Sequence, residues 1–517
     1  MNPRFPVLLS LLVLLATAAT ADTPAPQSYT PPRLSGRDRL PKIQAVLPEI
    51  AQLFQNFTAE QHLPGLVYGV LVDGGLIHTG TIGLANVEAK IPVALDTRFR
   101  IASMTKSFTA MAIFRLRDEG KLSLADPVEK YLPEFRSVAH LTADSSAITI
   151  KHLLTMSAGF PEDNPWGDRR LGDTEEQLRG FLSGGLSLSN APGFAYEYSN
   201  LGFALLGQII TNISGQRYQD YITKHILQPL GMRDTHWEYT DIPADKLALG
   251  YRWEEGAWKQ EPLLHDGTYG AMGGLITTLP DFARYVAFQL SAQPPCNDPE
   301  TGPVRRATLR EMQQPATFIR IVADAKTLDG QPNPFVTFYA HGLGWNRDAR
   351  GNVWVRHAGG LPGFGSEYRF CPDHGVALIA FANRTYAPLN EVTAKALQIL
   401  LEKGGVQPRR LPVSSLLSQR MRQVVDLINT WDPKLCDEIL ADNFLLDRTR
   451  ERWMKVAREV LDQVGKIQSV GEVTPENQLR ATFTLQGEKG SVKVFFTLTP
   501  ERPPKIQELQ LTFVPNP

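Results

Sequence analysis

At 517 residues, with 43% hydrophobic and 21% charged residues, the chain is long enough for two or three domains with substantial cores. Lys plus Arg (53) nearly cancels Asp plus Glu (54), which excludes the strong global field that draws a protein to nucleic acid or anionic lipid. Such a surface suits a small-molecule or short-peptide substrate.

The chain opens on MNPRFPVLLSLLVLLATAATADTPAP, with one early Arg, an apolar stretch from Val7 to Leu15 and small residues at Ala19 and Ala21. This pattern predicts a secretory leader over 1–21 and a periplasmic or secreted protein. The apolar run is about half of the roughly 20 residues that a membrane span requires, and no later segment is apolar enough to span. Residues 22–44, rich in Pro, Thr and Ser, read as a flexible lead-in to a helical pattern near Ile43 to Phe57. GLVYGVLVDGGLIHTGTIGLANV (65–87) reads as two apolar strands around Asp73-Gly74-Gly75, a hairpin signal. Helical patterns follow at 103–119, 148–156, 200–214 and 217–228. Strands are expected near 353–357, 365–371 and 375–382, then a helix from about 390 to 402. Strands at both ends enclosing many helices predict the α+β class, an antiparallel sheet flanked by helices over 45–402.

At KGGVQPRRLPVSS (403–415) the pattern breaks into Gly, Pro and Arg, as in a linker. Helical patterns at 416–430, 433–441 and 449–464 then precede alternating segments at 467–474, 478–486, 490–499 and 505–514. These predict a small separate α+β domain over 416–517, which resembles in element order alone the cone-shaped NTF2-like modules appended to enzymes. Dimerisation, substrate gating and localisation are all open to it. The three cysteines, Cys296, Cys371 and Cys436, are far apart and lack C-x-x-C spacing, so buried free thiols or at most one bridge are expected. The histidines show no metal-ligand spacing, and no metal or organic cofactor is implied.

Three short stretches carry chemistry. In RIASMTKSFTAMAIFRLRDEG (100–120), Ser103 and Lys106 stand three apart, on one face of a helix that is apolar nearly all round. An isolated S-x-x-K is usually a capping serine and a solvated lysine. A lysine at the entrance to a buried helix is instead partly desolvated, which lowers its pKa and lets it act as a base. In APGFAYEYSNLGFALLGQII (191–210), Tyr198 and Asn200 precede a second buried helix. A phenol beside an ammonium ionises more readily and can relay a proton, while an Asn amide can hold a substrate carbonyl. In VRHAGGLPGFGS (355–366), a strand places His357 ahead of Gly359 and Gly360, where a ligand can approach the backbone closely. Arg356, adjacent on the strand, is expected to point to the opposite face.

SMTK (103–106), YSN (198–200) and HAG (357–359), in this order, resemble the serine β-lactamase-related hydrolases. Class A β-lactamases and penicillin-binding proteins carry S-D-N as the second element, so Y-x-N places the resemblance with class C β-lactamases, D,D-carboxypeptidases of the R61 type and related esterases. ITIKHLLTMSAGF (148–160), ILQPLGMRDT (226–235) and AMGGLITTLPDFARY (271–285) match as well. The resemblance implies that Ser103 is the acylated nucleophile, with Lys106 and Tyr198 as general base and acid. It implies substrate binding by Asn200, His357, Gly359 and Gly360, with an oxyanion hole from the backbone N–H groups of Ser103 and Gly360. His357 stands where β-lactamases usually carry lysine. A neutral imidazole recognises a carboxylate less strongly than an ammonium does, which shifts the expectation from β-lactams toward esters, peptides or D-amino-acid amides. The alternatives are a β-lactamase or D,D-carboxypeptidase, and a binding or sensor protein that is acylated without turnover.

Overall fold

The computed structural model describes residues 29–34 and 39–516, so the leader predicted at 1–21 lies outside the described residues. Among the described residues, nine strands form one antiparallel sheet. They are β1 (Gly65–Val72), β2 (Gly75–Asn86), β3 (Ile91–Pro92), and, after a long helical excursion, β8 (Thr317–Val322), β9 (Phe335–Tyr339), β10 (Gly344–Asp348), β11 (Val353–Leu361), β12 (Phe364–Cys371) and β13 (Val376–Ala382). Their order is β3-β2-β1-β13-β12-β11-β10-β9-β8. Two small ladders lie in the excursion, β4 (Phe99–Arg100) with β7 (Ile276–Thr277) and β5 (Tyr251–Glu254) with β6 (Ala257–Gln260).

The hairpin β1-β2 closes on Asp73 and Gly74, both at positive φ (53° and 80°), as a two-residue turn of right-handed twist requires. β1 and β13 are buried on both faces, and their alternation divides the sheet between two cores. Val67, Leu71, Ile379 and Phe381 face α2 (Lys106–Asp118) and its neighbours; Leu66, Val70, Leu378 and Ala380 face α1 (Arg39–Glu60) and the later helix Leu389–Gln398. Each of these Val, Leu, Ile and Phe side chains contributes about 1.5–3 kcal/mol relative to exposure, so the sheet cannot slip by one residue without inverting both cores.

Between β3 and β8 run α3 (Ile150–Leu154), α4 (Glu175–Ser183), α5 (Asn200–Ser214), α6 (Tyr218–Ile222), α7 (Gly270–Gly273), α8 (Leu279–Leu290) and α9 (Arg306–Met312), and α10 (Leu389–Gln398) follows the sheet. α5 starts where Asp163 accepts backbone N–H bonds from Asn200 (2.7 Å) and Leu201 (2.8 Å), with Ser199 as N-cap. It ends at Gly215 in the left-handed region.

The C-terminal segment has its own core. Helices α11 (Ser415–Thr430), α12 (Pro433–Ile439), α13 (Phe444–Asp447) and α14 (Arg450–Val464) precede a sheet of β14 (Ile467–Val470), β15 (Thr474–Asn477), β16 (Arg480–Gly487), β17 (Gly490–Leu498) and β18 (Ile506–Pro515), in which β14 and β15 both pair with β16. The single strand expected at 467–474 is thus two, separated by a break in the ladder. At the other end, α1 begins at Arg39, inside the expected lead-in, because Arg39 pairs with Asp73 at 2.7 Å and Ile43 is fully buried. The linker is tied down as well: Arg410 bridges Arg33 and Val406 is buried. All three cysteines are free, and Cys296 is partly exposed rather than buried. No described helix is long and apolar enough to cross a membrane.

Two positions test this frame. Asp163→Ala leaves buried donors at the start of α5 without an acceptor and should destabilise the protein by about 1–3 kcal/mol in a denaturant titration; an unchanged midpoint would show that these donors find another partner. At Gly359, a methyl group would overlap Ser366 Oγ and the Ile101 carbonyl. Gly359→Ala should therefore cost about 1–3 kcal/mol and lower the melting temperature by several degrees in calorimetry.

Candidate active site

Ser103 stands in a 3₁₀ turn, Ala102–Thr105, that runs directly into α2, and it caps neither element. Ala102, immediately before it, is held at φ 48°, a left-handed conformation that a residue with a Cβ adopts only when its surroundings impose it. Here the imposition comes from β11, whose Gly359 lies against Ile101 and Ala102, and from Ser366, which donates to the Ile101 carbonyl at 2.7 Å. Gly359 is therefore required for the approach of the strand to the turn that carries Ser103, and it also lines the pocket beside that turn.

Lys106 is completely buried. Its Nζ lies 2.9 Å from Ser103 Oγ, 2.7 Å from Asn200 Oδ1 and 2.9 Å from the Met272 carbonyl on α7. Asn200 is oriented by its own amide nitrogen, which donates to Asn164 Oδ1 at 2.7 Å, so its oxygen must face the lysine. Two of the three contacts are thus obligate acceptors. An ammonium satisfies all three; a neutral amine gives its two N–H groups to Asn200 and Met272 and has its lone pair left for the Ser103 hydroxyl. Burial lowers the Lys106 pKa to about 7, against the opposing pull of Asp168 and Asp163. Both states are therefore accessible near neutrality.

Tyr198 is hydrogen-bonded to Ser103, and its ring lies 5.0 Å from Lys106 Nζ. Burial raises the Tyr198 pKa well above its ordinary value, and the carboxylates of Asp168 and Asp163 add to the rise. Tyr198 stands as a neutral donor and Lys106 as the group that changes protonation.

His357 lies on the same face of β11 as Gly359, but both its nitrogens are occupied. Nδ1 is 2.6 Å from the Ala358 carbonyl, which can only accept, so Nδ1 carries the proton. Nε2 then accepts from the Tyr339 hydroxyl at 3.0 Å. Burial, then the neighbouring Lys106, lowers the His357 pKa to about 3, and the ring is neutral. With both nitrogens engaged, the ring expected to bind substrate is a neutral wall of the pocket, held by Tyr339. Arg356 points to the other face, where it pairs with Glu367 at 2.9 Å.

The β10 ladder on β11 stops at Arg356, so residues 357–361 have β12 on one side and an open edge on the other. That edge borders a pocket of 560 Å³ whose lining includes Ser103, Tyr198, His357, Gly359, Gly360, Asp168 and Tyr386, the last packed against Gly360. The Tyr386 hydroxyl donates to Asp168 Oδ2 at 3.0 Å. Burial pushes the carboxyls of Asp163 and Asp168 up. Sequence reasoning missed Asp163, Asn164, Asp168, Met272, Tyr339 and Tyr386. Only Met272 fell within a stretch already singled out, and there it acts through its carbonyl.

A family model described as Beta-lactamase matches residues 50–402. Protein flp of Staphylococcus aureus (strain MW2) is 30% identical over 351 residues, 66% of this chain and 64% of its own length. Beta-lactamase-like protein 2 of Dictyostelium discoideum is 28% identical over 371 residues, 70% of this chain and 63% of its own. The chain thus spans just under two thirds of the length of these curated relatives. Among solved structures, an octameric penicillin-binding protein homologue from Pyrococcus abyssi is similar at a TM-score of 0.57 and 21% identity, covering 90% of this chain and 98% of that one. A class C beta-lactamase is similar at 0.54 and 22%, covering 69% and 96%. A model matched over most of the chain and a shared fold lead to one conclusion: the protein belongs to the beta-lactamase family, whose superfamily consists generally of serine hydrolases.

Proposed function

We propose that the protein is an exported serine hydrolase that cleaves an ester, or a peptide or D-amino-acid amide, through an acyl-enzyme on Ser103. The observation that carries this reading is the three-way environment of Lys106, in which two obligate acceptors direct the lone pair of the neutral amine onto Ser103 Oγ. Ser103 Oγ attacks the substrate carbonyl carbon as its proton passes to Lys106. The backbone N–H groups of Ser103 and Gly360 receive the developing oxyanion. The leaving group departs with a proton relayed from Lys106 through Tyr198, and the same base then activates water to release the acid. The names of the relatives point to β-lactams and penicillins as well. A neutral, fully hydrogen-bonded His357 gives no charge to a carboxylate beside the scissile bond, which favours esters and amides over those ligands.

A fluorophosphonate probe should label the wild-type protein and fail to label Ser103→Ala; equal labelling of both would remove Ser103 as nucleophile. The rate of acylation should rise with pH through about 7 and level off above it, because the neutral amine is the active form. Lys106→Met should lower that rate by about 10²–10⁴-fold and abolish the rise. A turnover screen across aryl esters, D-amino-acid amides and a chromogenic β-lactam should rank the β-lactam last.

A further inference from the structure

The catalytic pocket does not end at the wall formed by His357. Ile319, Thr337, Arg356 and Asn390 border both this pocket and a larger cavity of 810 Å³ on the other face of the sheet. The two share this border near the end of the β10 ladder, where Gly344 pairs with Arg356 and lies against its side chain.

The cavity combines an apolar wall with a buried cluster of two guanidinium groups on one carboxylate, and Asp329, Asp348 and Glu402 line it elsewhere. Phe335 and Trp354 meet edge to face, with ring centroids 5.2 Å apart. Arg356 grips the fully buried Glu367 through two bonds of 2.9 and 3.1 Å, and Arg369 donates to the same carboxylate at 2.8 Å. Two guanidinium groups against one carboxylate leave one charge uncompensated. Arg369 is 95% buried on its 5% exposure, yet its Nε has no hydrogen-bond partner. Buried donors are rarely left so unless a ligand or water completes them. Arg356 is the only charged residue on β11, and it stands three residues, about 10 Å, along the strand from Gly359 at the nucleophile turn.

We propose that this cavity receives a carboxylate-bearing tail of the substrate. The scissile carbonyl sits at Ser103, and a tail of about 10 Å passes Thr337 and Ile319 to a carboxylate held by Arg356 and Arg369. The placement of the carbonyl rests on the hydrolase reading above; the binding site for the tail does not depend on turnover. A medium-chain dicarboxylic acyl group and a short peptide both present this chemistry.

The test is titration calorimetry on Ser103→Ala, which binds without hydrolysis. One pair of probes is octanedioic acid monoamide and its uncharged diamide; the other is acetyl-triglycine and its C-terminal amide. The carboxylate of at least one pair should bind at least tenfold more tightly than its amide, and the pair that does so names the source. In the background of Arg356→Gln, which leaves Glu367 and Arg369 one to one, that preference should fall to twofold or less. Ala394→Phe, which fills the cavity from α10 and keeps both arginines, should weaken the preferred probe at least tenfold. No carboxylate preference in either pair, or a preference that survives both substitutions, overturns the proposal. Loss of fluorophosphonate labelling specificity at Ser103 would overturn the hydrolase reading instead.

Discussion

A lysine amine taken wholly out of water is the constraint around which the larger, N-terminal domain is arranged. A buried ammonium is costly unless every proton finds an acceptor, and a buried neutral amine wastes its lone pair unless a donor faces it. The fold meets both demands with one geometry, and each partner comes from a different element: Ser103 from the turn before α2, Asn200 from the start of α5 and Met272 from α7. Asp163 fixes the first turn of α5 so that Asn200 is in place, and Asn164 fixes which end of its amide faces inward.

The sheet supplies the rigidity for this. Because β1 and β13 divide their side chains between two cores, the strands that follow them are locked in register. β12 carries Ser366 to the Ile101 carbonyl and β11 carries Gly359 against Ala102, so the strain at Ala102 is maintained by packing on both sides. Removing the side chain at 359 is what allows this approach, in the manner of a close-packed backbone contact.

Much of this was legible in the residues. The S-x-x-K pair, the Tyr-x-Asn step and the strand with His357 have local spacing, and the hairpin at Asp73-Gly74 has a turn signature. Asp163, Asp168 and Tyr386 had no such signature, because loop residues far apart in the chain are brought in only by tertiary packing. The direction of the Tyr198 shift was also illegible: a sequence shows that a lysine is near, but the depth of burial that outweighs it emerges from the assembled core. Strands β8–β10 were not read because their side chains are partly exposed and do not alternate cleanly, and because a long loop separates β8 from β9. The start of α1 was masked by Pro-rich neighbours, though Arg39 finds Asp73 across 34 positions of chain.

The unpaired edge of β11 beyond Arg356 has a consequence for solubility as well as for binding. A long open strand edge invites a second chain to add to it, and proteins usually blunt such edges with charge, proline or a bulge. Here the open stretch is five residues, bordering a pocket that Tyr198 and Tyr386 also line, with two glycines that weaken any strand laid beside it. A stretch this short, with two glycines in it, is a poor template for a neighbouring chain's strand.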